Sequence, residues 1–110
     1  MGRITDDAAR AFMAERPFSR GNTVVEVVRA EDRTVVTMKL WGNAIARRTN
    51  STTGSKLEVT TSGHETRTTK DRLNALDGVS IRQTDFDWHL NDQLWERTAA
   101  WTEVQPGEAG

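Results

Sequence analysis

The chain has no cysteine and no tyrosine, only two prolines and two histidines, and no long apolar run. Each shortage removes a class of chemistry. Without cysteine there is no disulfide, thiol nucleophile or thiolate metal site, a usage that suits a reducing cytosol. No stretch approaches the ~18 apolar residues that a bilayer-spanning helix needs, so no membrane partner is expected. The opening MGRITDDAARAF lacks the apolar centre of a secretion signal and carries two aspartates early, which predicts a soluble intracellular protein. His64 and His89 are too few and too scattered for a zinc signature. Neither G-x-S-x-G, a phosphate-binding glycine loop nor H-E-x-x-H occurs. Asp87 and His89 share one side of a predicted strand, yet no hydroxyl nucleophile is tied to them by spacing. The residues predict no enzyme, no metal and no cofactor.

What is present fits one domain. At 110 residues the chain should bury roughly 65% of the surface its unfolded form exposes, enough for a modest core. We expect an α+β domain over residues 1–104 and a flexible tail over 105–110, where QPGEAG offers little to pack. The net charge of −1 hides an uneven distribution: Arg33–Arg82 holds nine basic against four acidic residues, and Gln83–Gly110 one against six. Folding can interleave these halves, so the gradient by itself defines no patch.

Hydrophobic spacing outlines the elements. Thr5 suits an N-cap, Ala8, Ala9, Phe12 and Met13 share a helical side, and Pro17 predicts a stop near Arg16. Val-rich strands follow at about Thr23–Arg29 and Arg33–Trp41, apolar on both faces. Gly42-Asn43 suits a tight hairpin into a strand over Ala44–Arg48, and Lys56–Thr61 forms another. A second helix starts near Thr68 or Thr69, with Thr68 and Asp71 resembling a capping box, and Gly78 supplies a left-handed stop. Val79, Ile81 and Gln83, then Phe86, Trp88 and Leu90, alternate as two strands joined through Thr84-Asp85, and Asn91-Asp92 makes a further turn before a short edge strand. With hairpins throughout and no strand–helix–strand repeat, the fold class is α+β: a mostly antiparallel sheet of about five to seven strands with two short helices.

Gly42-Asn43 with Ile45-Ala46, then Thr66, Thr68-Thr69-Lys70, Arg72-Leu73-Asn74, Gly78-Val79, Ile81, Gln83, Trp88, Leu90 and Asn91 form an ordered pattern. Over about residues 40–95 it resembles a widespread set of small bacteriophage-encoded proteins without an agreed activity, including those of actinobacteriophages. The resemblance implies a phage origin, and hence the host cytoplasm, rather than a mechanism. Many relatives carry an aromatic residue at the position of His64 and glycine at that of Asp92; a binding role that uses an aromatic at 64 does not carry over.

Two kinds of binding site can be drawn from these residues. Four tryptophans are many for a chain without tyrosine; Trp88 suits the core, while Trp41, Trp95 and Trp101 are protein-interface candidates. Val24, Val28 and Val35, with Trp41, could self-associate as the second apolar face of their strands. The leading expectation is a non-enzymatic phage protein that binds a host or phage protein, or a second copy of itself. The alternative is nucleic-acid binding through Arg48, Arg67, Thr69, Lys70, Arg72 and Arg82, with a helix start that could hold phosphate. For Thr66–Asn74 the simpler reading is capping and packing. Within the alternative, Arg48 is expected on the solvent side of its strand and Arg47 at the core margin.

Overall fold

The computed structural model describes residues 3–104, and the tail expected over 105–110 lies outside the described residues. The order is α1 (Arg3–Met13), β1 (Phe18–Arg20), β2 (Thr23–Arg29), β3 (Arg33–Leu40), β4 (Asn43–Ser51), β5 (Gly54–Val59), α2 (Arg67–Asn74), β6 (Ile81–Thr84), β7 (Asp87–Leu90), β8 (Gln93–Leu94) and β9 (Thr102–Glu103). The fold is α+β, mostly antiparallel sheet. Its strands divide between two sheets where the spacing suggested one: a six-stranded sheet in the order β1-β2-β3-β4-β5-β9, and a three-stranded sheet β6-β7-β8. β6 to β8 pair only with one another, because α2 separates them from β5 and tight turns fold them back on themselves.

Helix α1 ends three residues before the expected position. Glu15 adopts a left-handed φ of 57°, and the Arg16 amide donates to the Ala11 carbonyl at 2.9 Å while that of Glu15 donates to Phe12. This closes a Schellman loop without the usual glycine. The Glu15 side chain offsets the awkward backbone by accepting from Asn50 and from Arg29. Thr5, expected as a cap, lies inside the helix. Ala8, Ala9, Ala11 and Phe12 are buried; the small alanines let α1 lie close to β1, β2 and β3, and the Phe12 ring fills the space between.

Three of the strand connections are two-residue turns with left-handed backbone. Trp41-Gly42 (φ 51° and 81°), Asp85-Phe86 (49° and 75°) and Asn91-Asp92 (51° and 69°) each have both residues at positive φ, which matches the right-handed twist of the flanking strands. Two of these turns sit one residue from their expected places: Leu40 pairs with Asn43, and Thr84 with Asp87. Between Met38 and Lys39 the β3–β4 register shifts, leaving Ile45 as an extra residue on β4. Such a bulge reverses the facing of everything beyond it on that strand. Arg48 therefore pairs with buried Val36 on the inner face, and Arg47 with Thr37 on the outer.

Helix α2 starts earlier than expected. Thr66 is its N-cap, extended at φ −117° and ψ 165°, and its hydroxyl accepts from the Thr69 amide. Thr69 is buried and its hydroxyl hydrogen-bonds that of Thr66 at 3.2 Å. The Thr68–Asp71 box does not form among the described hydrogen bonds. Leu73 and Leu76 pack inward, joining one apolar cluster with Val25, Val36, Met38, Leu40, Ile45, Val59, Trp88 and Trp95.

Arg72 ties the layers together. Its guanidinium is buried and donates from Nε to Thr23 Oγ1 at 2.9 Å, from Nη2 to Asn22 Oδ1 at 3.2 Å and from Nη1 to the Thr5 hydroxyl. One side chain of α2 thereby holds the β1–β2 turn and the first turn of α1. Burial lowers its basicity, and neighbouring Asp71 opposes that shift. Its acceptors are neutral oxygens, so removing the cation takes a donor from buried Thr23 and from partly buried Thr5 and Asn22, of which Asn22 Oδ1 still accepts from the Thr23 hydroxyl at 2.8 Å. Arg72→Ala should cost about 2–4 kcal/mol in urea unfolding. Arg67→Ala, at an exposed position of the same helix, should stay within about 0.5 kcal/mol of wild type.

Candidate interaction face

The helices pack on the inner side of the six-stranded sheet, and among the described residues no helix or strand covers its outer side. Strand alternation places Val24, Glu26 and Val28 of β2 there, with Val35, Thr37 and Lys39 of β3, Arg47 and Thr49 of β4, and Lys56 and Glu58 of β5. Cross-strand partners arrange them in rows: Val28–Val35–Thr49–Lys56 and Glu26–Thr37–Arg47–Glu58. Val28 is 64% exposed, an aliphatic side chain left in water.

The face has its own ordering contacts. Arg47 donates through Nε and Nη2 to Glu58 Oε1 at 3.1 and 2.9 Å. Its guanidinium also lies 4.2 Å from the centre of the Trp101 ring. β9 pairs with the end of β5 and brings Trp101 to the same side; the ring remains 37% exposed. Lys39 bridges to Glu26 at 3.1 Å. Such partly exposed pairs contribute little stability, but they hold charged groups in known places. Towards the far end of β3, β4 and β5 the sheet curves into an open trough of about 690 Å³. Val35 and Thr49 form its floor, and Arg33, Arg47 and Lys56 with the hydroxyl-bearing Ser51, Thr53 and Ser55 form its rim. Asp32, beside the rim, is held below its ordinary pKa by a hydrogen bond from Arg33 and by that cation's charge. A second concavity of about 530 Å³ lies between α1 and the segment after α2, with Met13, Ala9 and Ala75 among its lining.

The interface candidates do not all meet on this face. Val24, Val28, Val35 and Trp101 do. Trp41 is 54% exposed and lies in the β3–β4 turn, two residues beyond Lys39, the partner of Val24; it borders that end of the face and stands roughly 20 Å from Val35 at about 3.3 Å per strand residue. Trp95 is buried, its indole N–H donating to Thr102 Oγ1 at 2.9 Å and its ring meeting Trp88 edge-on at 6.4 Å. Its acidic surroundings in sequence suggested exposure; the turn at Asn91-Asp92 folds it back onto Trp88 instead.

The basic set is dispersed. Arg72 and Thr69 are buried and committed to the interior. Arg48 faces inward through the bulge and donates to the Met13 carbonyl at 3.1 Å, where a cation suits a helix C-terminus. Lys70 donates to Gln83 at 3.2 Å and lies 5.5 Å from the Trp88 ring centre. Arg82 approaches Asp92 at 3.5 Å. Arg67 is exposed and makes no ion pair among the described residues. The histidines also stand apart: His64 hydrogen-bonds Asn43 at 3.3 Å, and no described hydrogen bond links His89 to Asp87. Among the described residues, three or more metal-ligand types never gather.

Phe86 was missed. Alternation aligned it with Trp88 and Leu90 as core, yet it is 92% exposed because it is the second residue of the β6–β7 turn. The signal lay in Asp85-Phe86-Asp87: carboxylates on both sides suit a turn better than a core strand.

The fold and this face define a small α+β protein with helices on one side of its main sheet and the other side bare. The family model of the Kyanoviridae Gp96 protein matches residues 1–105, and the chain belongs to that phage-encoded family. Kyanoviridae are phages of cyanobacteria, so the match carries the phage origin and leaves the actinobacteriophage kinship unsupported. No curated protein and no solved structure matches the chain.

The two settings of tryptophan should differ in energy. Trp88→Ala removes a buried ring and should cost about 3–5 kcal/mol. Trp101→Ala removes a ring stacked on a surface cation and should cost about 1–2 kcal/mol in the same unfolding measurement.

Proposed function

We propose that this phage protein has no catalytic role and works by binding another protein through the outer face of its six-stranded sheet, in the cytoplasm of the infected host. The observation that carries the reading is the bare face itself: exposed Val28 and partly exposed Val24, Val35 and Trp101 lie among charged side chains already held in place. Apolar anchors within a polar, preorganised surround are the usual make-up of a protein interface. The partner is a host protein, a phage protein or a second copy of the chain. Nucleic-acid binding through the central basic segment has less support, since Arg48, Thr69 and Arg72 are engaged within the fold. Among the described residues no helix is long and apolar enough to cross a membrane.

A pull-down from infected cyanobacterial lysate tests the reading with the tagged chain and a Val28→Asp, Val35→Asp variant. Both positions lie on the outer face, so the variant should keep the wild-type circular dichroism spectrum. The wild type should retain a protein that the variant loses. Equal retention by both would sink the proposal.

A further inference from the structure

The Asp85-Phe86 turn is costly where it stands. A bulky non-glycine residue at φ 75° is strained, and the ring is 92% exposed, so no packing within the chain compensates. The hairpin that carries it is nonetheless rigidly based. Asn74 of α2 brackets Ile81, accepting from its amide at 2.7 Å and donating to its carbonyl at 3.1 Å. Asn91 likewise accepts from the Ser80 amide at 2.7 Å and donates to the Gly78 carbonyl at 2.9 Å. A strained, apolar tip on a clamped stem is an anchor held ready. Asp85 and Asp87 flank it, and neither has an ion-pair partner among the described residues.

The trough on the outer face offers the complement. Val35 forms its floor with Val28 beside it, and Arg33, Arg47 and Lys56 stand at its rim; Glu58 is the one acidic lining residue, and exposed Asp32 beside the rim pairs with Arg33 at 3.4 Å. Lys56 is 3.9 Å from Glu58, too far for a strong pairing, so its charge is free to meet another carboxylate. We infer that the Phe86 turn of one copy seats in the outer-face trough of a second copy, the ring on Val28 and Val35 and the flanking carboxylates against Arg33 and Lys56. This rests on the proposed protein-binding role of that face and names its occupant. The same aspartates would be repelled by nucleic-acid phosphates and by anionic lipid headgroups, which disfavours those surfaces as targets for the ring. Reciprocal seating closes a dimer, and one-way seating gives rings or filaments.

Sedimentation of the full chain over a concentration series tests it. The wild type should exceed the 12.3 kDa of one chain. Phe86→Gly removes the ring and suits the positive φ, so it should weaken association by about thirtyfold or more while its melting temperature stays level or rises. A charge exchange adds a test that misfolding cannot imitate. Asp85→Asn with Asp87→Lys makes the turn basic, and Arg33→Glu with Lys56→Glu makes the trough acidic. Each double variant alone should be monomeric, because like charges then meet; mixed together they should associate, since both contacts regain opposite charges. A wild type that stays monomeric at its highest soluble concentration overturns the inference, as does undiminished association of Phe86→Gly or failure of the mixture to associate. A monomeric wild type leaves the protein-binding role standing, whereas equal capture by the Val28→Asp, Val35→Asp variant removes that role, so the two failures are distinguishable.

Discussion

One buried cation sets the arrangement of this protein. The Arg72 guanidinium reaches from α2 to Asn22 and Thr23 at the β1–β2 turn and to Thr5 in α1, so three segments distant in sequence share one polar centre. Its planar fork can meet three oxygens at once, which a lysine ammonium on a flexible stem would do less well. With both helices held to the inner side, apolar burial concentrates there, and the outer side of the six-stranded sheet is left to solvent. The bare face is thus a consequence of where the helices are tied.

A second set of polar clamps governs the smaller sheet. Strands β6 and β7 have four residues each and β8 only two, so this sheet is little more than a hairpin, which is marginal by itself in water. Here its base is bracketed by the side-chain amides of Asn74 and Asn91, each satisfying a backbone donor and a backbone acceptor. Trp88 and Trp95 anchor its inner surface in the core. That support allows the distal turn to carry an exposed ring and left-handed backbone that it could not sustain unaided.

Membership in a Kyanoviridae protein family agrees with the phage origin that residues 40–95 suggested, and the structure explains many of the residues in that pattern. Thr66 caps, Thr69 and Leu73 pack, Arg72 joins the layers, and Asn74 and Asn91 clamp the hairpin base. Much of that pattern is architecture. The residues with freedom to recognise a partner lie elsewhere: on the outer strands, at Trp101 and at the Asp85–Asp87 turn.

Most of the strands, the two helices and the mostly antiparallel class were legible because alternation, helical spacing and turn residues are local signals; the three-residue β1 at Phe18–Arg20, in a stretch that reads as a connector, was not. The side of the sheet on which each residue falls was less legible. One extra residue at Ile45 exchanges the roles of Arg47 and Arg48, and one residue of shift in a turn moves Phe86 from a core line to solvent. Local composition made Trp95 resemble a surface residue until the chain folded it against Trp88. The sequence by itself therefore determined the elements and excluded thiol chemistry, since these depend on neighbouring residues and on which side chains exist. Only the tertiary structure decided the division into two sheets and the burial of Arg72, because each depends on contacts between segments far apart along the chain.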